Sequence, residues 1–194
     1  GGPVVYGAMS AIDIALWGIK GKALGVPCYE LLGGKTRDKV RIYVNARGKS
    51  DAELVQASSR LVEDGFGAIR FSIMHPENSD GACGESFSSR VHRAAGTMEA
   101  IRKAVGWDVD GSVECHRGLR PAEAIELGRA MEPFRPHFYE DPIPDNPAAM
   151  DTVIRECRIP VATGERFINS QEFDSLMTST PVRYIRPDMC LAGG

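Results

Sequence analysis

Three glutamates recur at nearly equal spacing and could together bind a divalent cation. Glu114 lies in SVECH, Glu140 in FYEDP and Glu165 in ATGER, so that successive glutamates are 26 and 25 residues apart. A spacing of one strand–helix repeat would place the three carboxylates level with one another on adjacent strands. Carboxylates in that position repel one another unless a cation lies between them, and such hard oxygen ligands select Mg²⁺. Zinc would prefer the nitrogen and sulfur that only His116 and Cys115 offer nearby. We therefore predict a magnesium site; the alternative is three separate, exposed glutamates.

His116 is the second residue type in this region that could do chemistry. It lies two positions after Glu114, and residues i and i+2 share one face of a strand. Its imidazole would point where the Glu114 carboxylate points, and histidine is the residue type used most often as a general acid or base. We predict that His116 is catalytic; the alternative is a surface histidine at a strand end. His75, His92 and His137 have no comparable neighbours.

The elements that must position these residues follow a repeating pattern. After a helix predicted at Ala8–Leu24, short β-rich runs alternate with amphipathic segments, each closed by a Gly or Pro break. Asp51 and Ser170 are predicted as N-caps. The predicted strands are Val40–Ala46, Ala68–Met74, Ser112–His116, His137–Ile143, Val161–Phe167 and Tyr184–Met189, and the helices between them are Asp51–Asp64, Arg90–Val105, Pro121–Met131, Pro147–Cys157 and Ser170–Met177.

This alternation predicts an α/β fold with parallel strands joined by right-handed crossovers. Either a doubly wound open sheet or a (β/α) barrel would fit. No GxGxxG or P-loop motif follows the first strand, so a nucleotide-binding open sheet has no support. The six strands would form a partial TIM-type barrel, because closure takes eight. The long polar connection HPENSDGACGESFSS, at 75–89, is typical of a functional or disordered loop.

Composition excludes several classes of protein. The 194 residues are 43% hydrophobic and 25% charged, which is typical of a soluble globular chain. A net charge of −3 argues against nucleic-acid binding, and no apolar run reaches the length of a membrane span. The five cysteines form no CxxC motif, so a reducing cytoplasm is the expected location. The chain opens on Gly1-Gly2-Pro3, without Met, and ends on Gly194, so we interpret it as an excerpt.

Five segments, in this order along the chain, carry a resemblance to a known family. Together they resemble the mandelate racemase/muconate lactonizing enzyme branch of the enolase superfamily, above all galactonate dehydratase and related sugar-acid dehydratases. The resemblance implies an α+β capping domain, whose last helix would lie in residues 1–34. Residues 35–194 would then be the first six strands of a modified (β/α)₇β barrel. The segments are SAIDIALWGIKGKALGVPCYELLGG, VECHRG, FYEDPIP, ATGERF and YIRPDMCLAGG.

The resemblance also implies a reaction. The sugar-acid dehydratases of this branch use Mg²⁺ to dehydrate a sugar acid, an aldonate, to a 2-keto-3-deoxy acid. The reaction proceeds through α-proton abstraction and an enediolate intermediate. The first metal ligand is usually Asp, whereas this sequence has Glu114. His116 would be the general acid that protonates the departing 3-hydroxyl. Asp188, in RPDM, would orient a catalytic His on a seventh strand that this sequence lacks, and the parent protein would be a homo-oligomer.

The second strand bears on a competing function. Racemases of this branch carry Lys-x-Lys there, and this sequence has Arg70 and Ser72 instead. Arg70 is predicted to bind a substrate carboxylate or stabilise an anionic intermediate, although it could simply pair with a neighbouring carboxylate. Two alternatives stay open: a racemase or epimerase of the same superfamily, and a catalytically incomplete metal-binding fragment.

Overall fold

The computed structural model describes residues 2–73 and 85–194, which contain one six-stranded sheet and seven α-helices. No helix in these two ranges is long and apolar enough to cross a bilayer. The strands are β1 (Val44–Asn45), β2 (Ala68–Ser72), β3 (Asp110–Glu114), β4 (Tyr139–Glu140), β5 (Val161–Thr163) and β6 (Tyr184–Ile185). The helices are α1 (Pro3–Leu24), α2 (Cys28–Leu31), α3 (Asp51–Glu63), α4 (Phe87–Val105), α5 (Pro121–Met131), α6 (Pro147–Glu156) and α7 (Ser170–Ser179), and a 3₁₀ turn spans Glu132–Phe134.

The six strands pair in parallel and in chain order, from β1 to β6. A doubly wound sheet reverses its strand order at a switch point, and this sheet has no such reversal. Strictly sequential parallel strands with intervening helices are instead the arrangement of a (β/α) barrel. The predicted fold class, a partial TIM-type barrel, is therefore confirmed.

Contacts between residues divide the chain into two compact units. The first unit contains α1 and α2, and the second contains all six strands. Within the first unit, the Ser10 hydroxyl donates to the Tyr6 carbonyl and accepts a hydrogen bond from the Gly193 amide, at 2.8 and 3.0 Å. The first unit comprises Gly1–Arg41, Gly164–Ser175 and Arg186–Gly194, and the second comprises Ile42–Thr163 and Leu176–Ile185.

The core of the second unit lies between the sheet and its helices. Side chains alternate between the two faces of a strand, so each strand contributes every second residue to this layer. The Tyr139 hydroxyl donates to the Ala124 carbonyl of α5, which shows that Tyr139 faces the helices. Its neighbour Glu140 therefore faces the opposite side. The core side chains that are at most 2% exposed include Leu54, Ile69, Phe71, Ala94, Met98, Ile101, Val113, Leu127, Met150, Val153 and Val161.

The observed strands are shorter than the predicted ones. His116, Arg117 and Asp141 have positive φ angles of 52°, 62° and 40°, and this backbone conformation does not continue a strand. β3 consequently ends at Glu114 and β4 at Glu140, whereas the predicted strands ended at His116 and Ile143.

Four helices begin where predicted, at Asp51, Pro121, Pro147 and Ser170, whereas α1 begins at Pro3 rather than Ala8. Ser50 Oγ accepts from the Glu53 amide at 3.2 Å, and Asn169 Oδ1 accepts from the Glu172 amide at 3.0 Å. The predictions of Asp51 and Ser170 as N-caps were therefore wrong by one position, because the capping side chain precedes the first helical residue. α4 begins at Phe87 rather than Arg90. The predicted loop at 75–89 falls mostly outside the described residues.

Arg102 connects three backbone segments of the second unit. It lies on α4 and is only 6% exposed. Its guanidinium donates to the carbonyl oxygens of Gly106, Val109 and Phe134 at 2.9, 2.8 and 3.2 Å, and it lies 4.8 Å from the Trp107 ring centroid. One buried cation thus satisfies carbonyl groups that strand pairing does not reach.

Replacing Arg102 by Met should lower the free energy of unfolding by about 3 kcal/mol, because buried carbonyls lose their donor. Chemical denaturation would measure the change. Lys103→Met is the matched control, since Lys103 forms only an exposed pair with Glu99 among the contacts described, and its effect should stay within about 0.5 kcal/mol. Equal effects of the two substitutions would contradict a structural role for Arg102.

Candidate metal centre

The pairing of β3 with β4 places Glu114 and Glu140 side by side. The two residues are partners in the parallel register, so their side chains project to the same face of the sheet. Glu140 is completely buried, and the Glu114 side chain is 16% exposed. Two carboxylates in this position repel each other and need compensating positive charge.

Glu165 follows the end of β5 by two residues. Gly164, between them, has a φ of +111°, and a Cβ atom there would lie 2.9 Å from a ring carbon of Phe173. A side chain at position 164 would therefore both strain the backbone and clash with the ring. The glycine of the ATGER motif is thus required by the turn that leads to the Glu165 carboxylate.

The three predicted ligands come together. Carboxylate oxygens of Glu114, Glu140 and Glu165 all lie within 4.8 Å of one another. The donor set consists of carboxylate oxygens alone, which is the set that Mg²⁺ prefers and that leaves room for water or substrate oxygens. The residues present therefore fit a magnesium ion.

Cys115, between Glu114 and His116, does not join this donor set. Its side chain is 5% exposed, and burial raises the pKa of the Cys115 thiol to about 12. Among the described residues, the ligand atoms that come together are those of the three glutamates alone, so no sulfur ligand supports zinc here.

Arg70 is paired with two of the predicted metal ligands. Its Nη1 forms an ion pair with Glu140 Oε1, and its Nη2 lies 3.3 Å from Glu114 Oε2. Its Nε donates to Asn45 Oδ1 at 2.9 Å, and its guanidinium carbon lies 5.6 Å from the Tyr43 ring centroid. The alternative expected for Arg70, pairing with neighbouring carboxylates, is what these contacts show, and substrate binding by Arg70 stays a prediction.

His116 lies beside Glu114, although not for the predicted reason. Its Nδ1 is 3.2 Å from Glu114 Oε1, and its side chain is 55% exposed. Because β3 ends at Glu114, strand alternation does not place the ring; the left-handed turn at His116 does. An exposed imidazole next to a candidate metal ligand is accessible to a substrate.

A second ion pair fixes the two strand ends that carry this site. Arg117 Nη1 donates to Asp141 Oδ2 at 3.0 Å, and the Arg117 amide donates to the Asp141 carbonyl at 2.6 Å. Asp141 is 1% exposed. This clamp connects the residue after His116 to the residue after Glu140, and sequence reasoning missed it. The available signal was a second acidic residue, Asp141, directly after Glu140 in the mostly apolar run FYEDPIP.

The remaining histidines and Asp188 lie in other settings. His137 Nδ1 lies 3.8 Å from Asp110 Oδ1, and its ring packs near the rings of Phe138 and Tyr184. Asp188 Oδ1 accepts a hydrogen bond from the Cys190 amide at 2.8 Å. The predicted role of Asp188, orienting a catalytic His, stays a prediction. His75 lies outside the described residues.

A sequential parallel (β/α) sheet with three carboxylates at successive strand ends defines a (β/α)-barrel protein with a candidate divalent-metal centre. Two family models match the sequence: "Enolase C-terminal domain-like" over residues 53–194, and "Mandelate racemase / muconate lactonizing enzyme, N-terminal domain" over residues 3–33. The chain therefore belongs to the enolase superfamily, in its mandelate racemase/muconate lactonizing enzyme branch, as the sequence motifs predicted.

Relatives with assigned names include two sugar-acid dehydratases. The chain is 35% identical to the D-galactonate dehydratase of Variovorax paradoxus, over 100% of this chain and 50% of the relative. It is also 35% identical to the D-gluconate dehydratase of Thermoproteus tenax, over 96% of this chain and 37% of the relative. The chain thus spans half or less of the length of these relatives.

Solved structures agree on the fold. A member of the enolase superfamily from Salmonella Typhimurium superposes with a TM-score of 0.92 at 35% identity, covering 100% of this chain and 54% of that one. A mandelate racemase/muconate lactonizing enzyme from Jannaschia sp. CCS1 superposes with a TM-score of 0.89 at 33% identity, covering 99% and 52%.

Proposed function

We propose that the whole protein catalyses the Mg²⁺-dependent dehydration of a sugar acid to a 2-keto-3-deoxy acid. The observation that carries the proposal is the cluster of Glu114, Glu140 and Glu165, with His116 beside it. The names of the relatives support the reaction type, since several are sugar-acid dehydratases. In this reaction a proton leaves C2, water leaves from C3, and the resulting enol tautomerises to the ketone.

The three glutamates would hold the ion. When bound, Mg²⁺ would supply positive charge for the substrate carboxylate and for the negative charge that develops as the α-proton leaves. Glu140, being fully buried, fixes one side of the centre, and the Arg117–Asp141 clamp holds the strand ends that carry Glu140 and Glu114.

His116 would hold the proton that the leaving hydroxyl needs. An Nδ1–H donated to Glu114 would orient the ring, and the Nε2 proton would then be the one given to the substrate. From Nε2 the proton passes to the C3 hydroxyl as the C–O bond breaks. Asp188 would orient the base that removes the α-proton, a histidine expected on the seventh strand.

A substrate screen tests this proposal. The purified full-length protein would be incubated with Mg²⁺ and a panel of aldonates that includes D-galactonate, D-gluconate and D-mannonate, the acids in the relatives' names. Formation of a 2-keto-3-deoxy acid, abolished by EDTA and restored by Mg²⁺, is the expected result.

Two other results of the same screen would contradict the proposal. Exchange of the α-proton with D₂O, without any keto acid, would instead support a racemase or epimerase. We do not expect it, because Arg70 and Ser72 replace the second-strand lysines of the resembling racemases. The absence of both reactions across the panel would favour a metal-binding protein without dehydratase activity.

A further inference from the structure

The two in-register carboxylates pose an electrostatic problem that the protein must solve before any cation binds. Glu114 and Glu140 lie on neighbouring parallel strands, whose backbones are about 4.8 Å apart. Glu140 has no exposed surface, so water does not screen its charge. Burial of an unpaired carboxylate is costly enough that such groups are found with a counter-charge.

Arg70, on the neighbouring strand β2, provides that counter-charge. One guanidinium contacts both carboxylates, through Nη1 to Glu140 and Nη2 to Glu114. The Arg70 side chain is 13% exposed, so the pairing lies largely away from solvent. Planar guanidinium groups bind carboxylates in fixed geometry, which a flexible ammonium does not reproduce.

Residues of and next to β1 hold the guanidinium in this position. Asn45 is the register partner of Arg70 and accepts a hydrogen bond from its Nε at 2.9 Å. The Tyr43 ring, centred 5.6 Å from the guanidinium carbon, packs near the same group. With Nε, Nη1 and Nη2 all engaged, Arg70 is directed toward the carboxylates rather than toward solvent.

We propose that Arg70 is the internal counter-ion of the carboxylate centre. It neutralises Glu114 and Glu140 when no divalent cation is present, and it competes with that cation for the same two carboxylates. The proposal rests on the proposed function, since it assumes that these glutamates bind Mg²⁺. In this role Arg70 stabilises the metal-free protein and weakens Mg²⁺ binding.

Arg70→Met tests both halves of the proposal. In EDTA, its thermal midpoint should fall by about 5–10 °C, because two buried carboxylates lose their partner. Calorimetric titration should show Mg²⁺ binding about tenfold tighter, because a competing positive charge is gone. Arg129→Met is the matched control: Arg129 pairs with Glu156 at 2.7 Å on the surface, so neither quantity should change.

These measurements distinguish a failure of the counter-ion role of Arg70 from a failure of the proposed Mg²⁺ site. An unchanged midpoint in EDTA, or weaker Mg²⁺ binding by Arg70→Met, would overturn the counter-ion role. If Arg70→Met does not fold, Arg70→Lys, which keeps the charge without the planar fork, should fold with a smaller fall in midpoint and weaker competition. If the unsubstituted protein binds no Mg²⁺, the proposed function fails, and the midpoint in EDTA still decides whether Arg70 is a counter-ion.

Discussion

Glu140→Gln is expected to reduce the rate of sugar-acid dehydration by at least about 10³-fold, or about 4 kcal/mol of transition-state stabilisation. The substitution keeps the shape of the side chain and removes one negative charge from the centre of the site. Because Glu140 is fully buried and paired with Arg70, no water or other group replaces that charge. Steady-state kinetics at a Mg²⁺ concentration that saturates the unsubstituted protein, with the substrate found by screening, would measure the loss.

The matched control is Glu156→Gln. Glu156 lies at the end of α6 and pairs with Arg129 on the surface, so its amide variant should keep the unsubstituted rate. Retention of more than a tenth of the rate by Glu140→Gln would contradict its role as a metal ligand. Circular dichroism would first establish that both variants keep the fold, so that a lower rate reports a loss of catalysis rather than unfolding.

His116→Asn is expected to lower kcat by about 10²–10⁴-fold, since it removes the proposed proton donor for the departing hydroxyl. It should leave Mg²⁺ affinity within about threefold, because the three carboxylates are unchanged and a single neighbouring hydrogen bond is lost. Kinetics and calorimetry on the same preparation would separate the two quantities.

His137→Asn is the control for this substitution. His137 precedes β4 at the end opposite Glu140, where it packs near Phe138 and Tyr184, so both rate and affinity should be retained. If His116→Asn loses Mg²⁺ binding together with activity, His116 positions Glu114 rather than transferring a proton. An unchanged kcat would remove His116 from the reaction altogether.

The shared position of the three glutamates at one edge of the sheet could be predicted from the sequence because the strand–helix unit repeats. One strand and one helix recur about every 25 residues, so carboxylates spaced by one repeat reach the same edge of a parallel sheet. The parallel pairing of the strands followed from the same repeat. Both inferences depend on periodicity along the chain, which the sequence displays directly.

The contacts of Arg70 could not be predicted in the same way. They depend on the register between neighbouring strands, which pairs Asn45 with Arg70 and Glu114 with Glu140. A shift of one residue would have turned Arg70 to the opposite face. Spacing along the chain does not determine that register, so the sequence left two roles open for Arg70.

The backbone turn that places the His116 ring is a second feature that the sequence pattern did not predict. Strand alternation predicted the correct neighbour, Glu114, but the strand ends at Glu114 and a positive φ places the ring. Non-glycine residues rarely adopt this conformation, and the surrounding structure must hold it. Here the Arg117–Asp141 clamp does so, and it joins residues 24 positions apart that no local pattern connects.

Calorimetric titration of the full-length protein with Mg²⁺ tests the central claim most directly. The unsubstituted protein, Glu140→Gln and Glu165→Gln would be titrated under identical conditions, with Glu156→Gln as the control. We predict saturable binding by the unsubstituted protein and the control, and no binding by either of the other variants. Unchanged binding in Glu140→Gln and Glu165→Gln would contradict the account, because the three clustered glutamates would then not be the ligands.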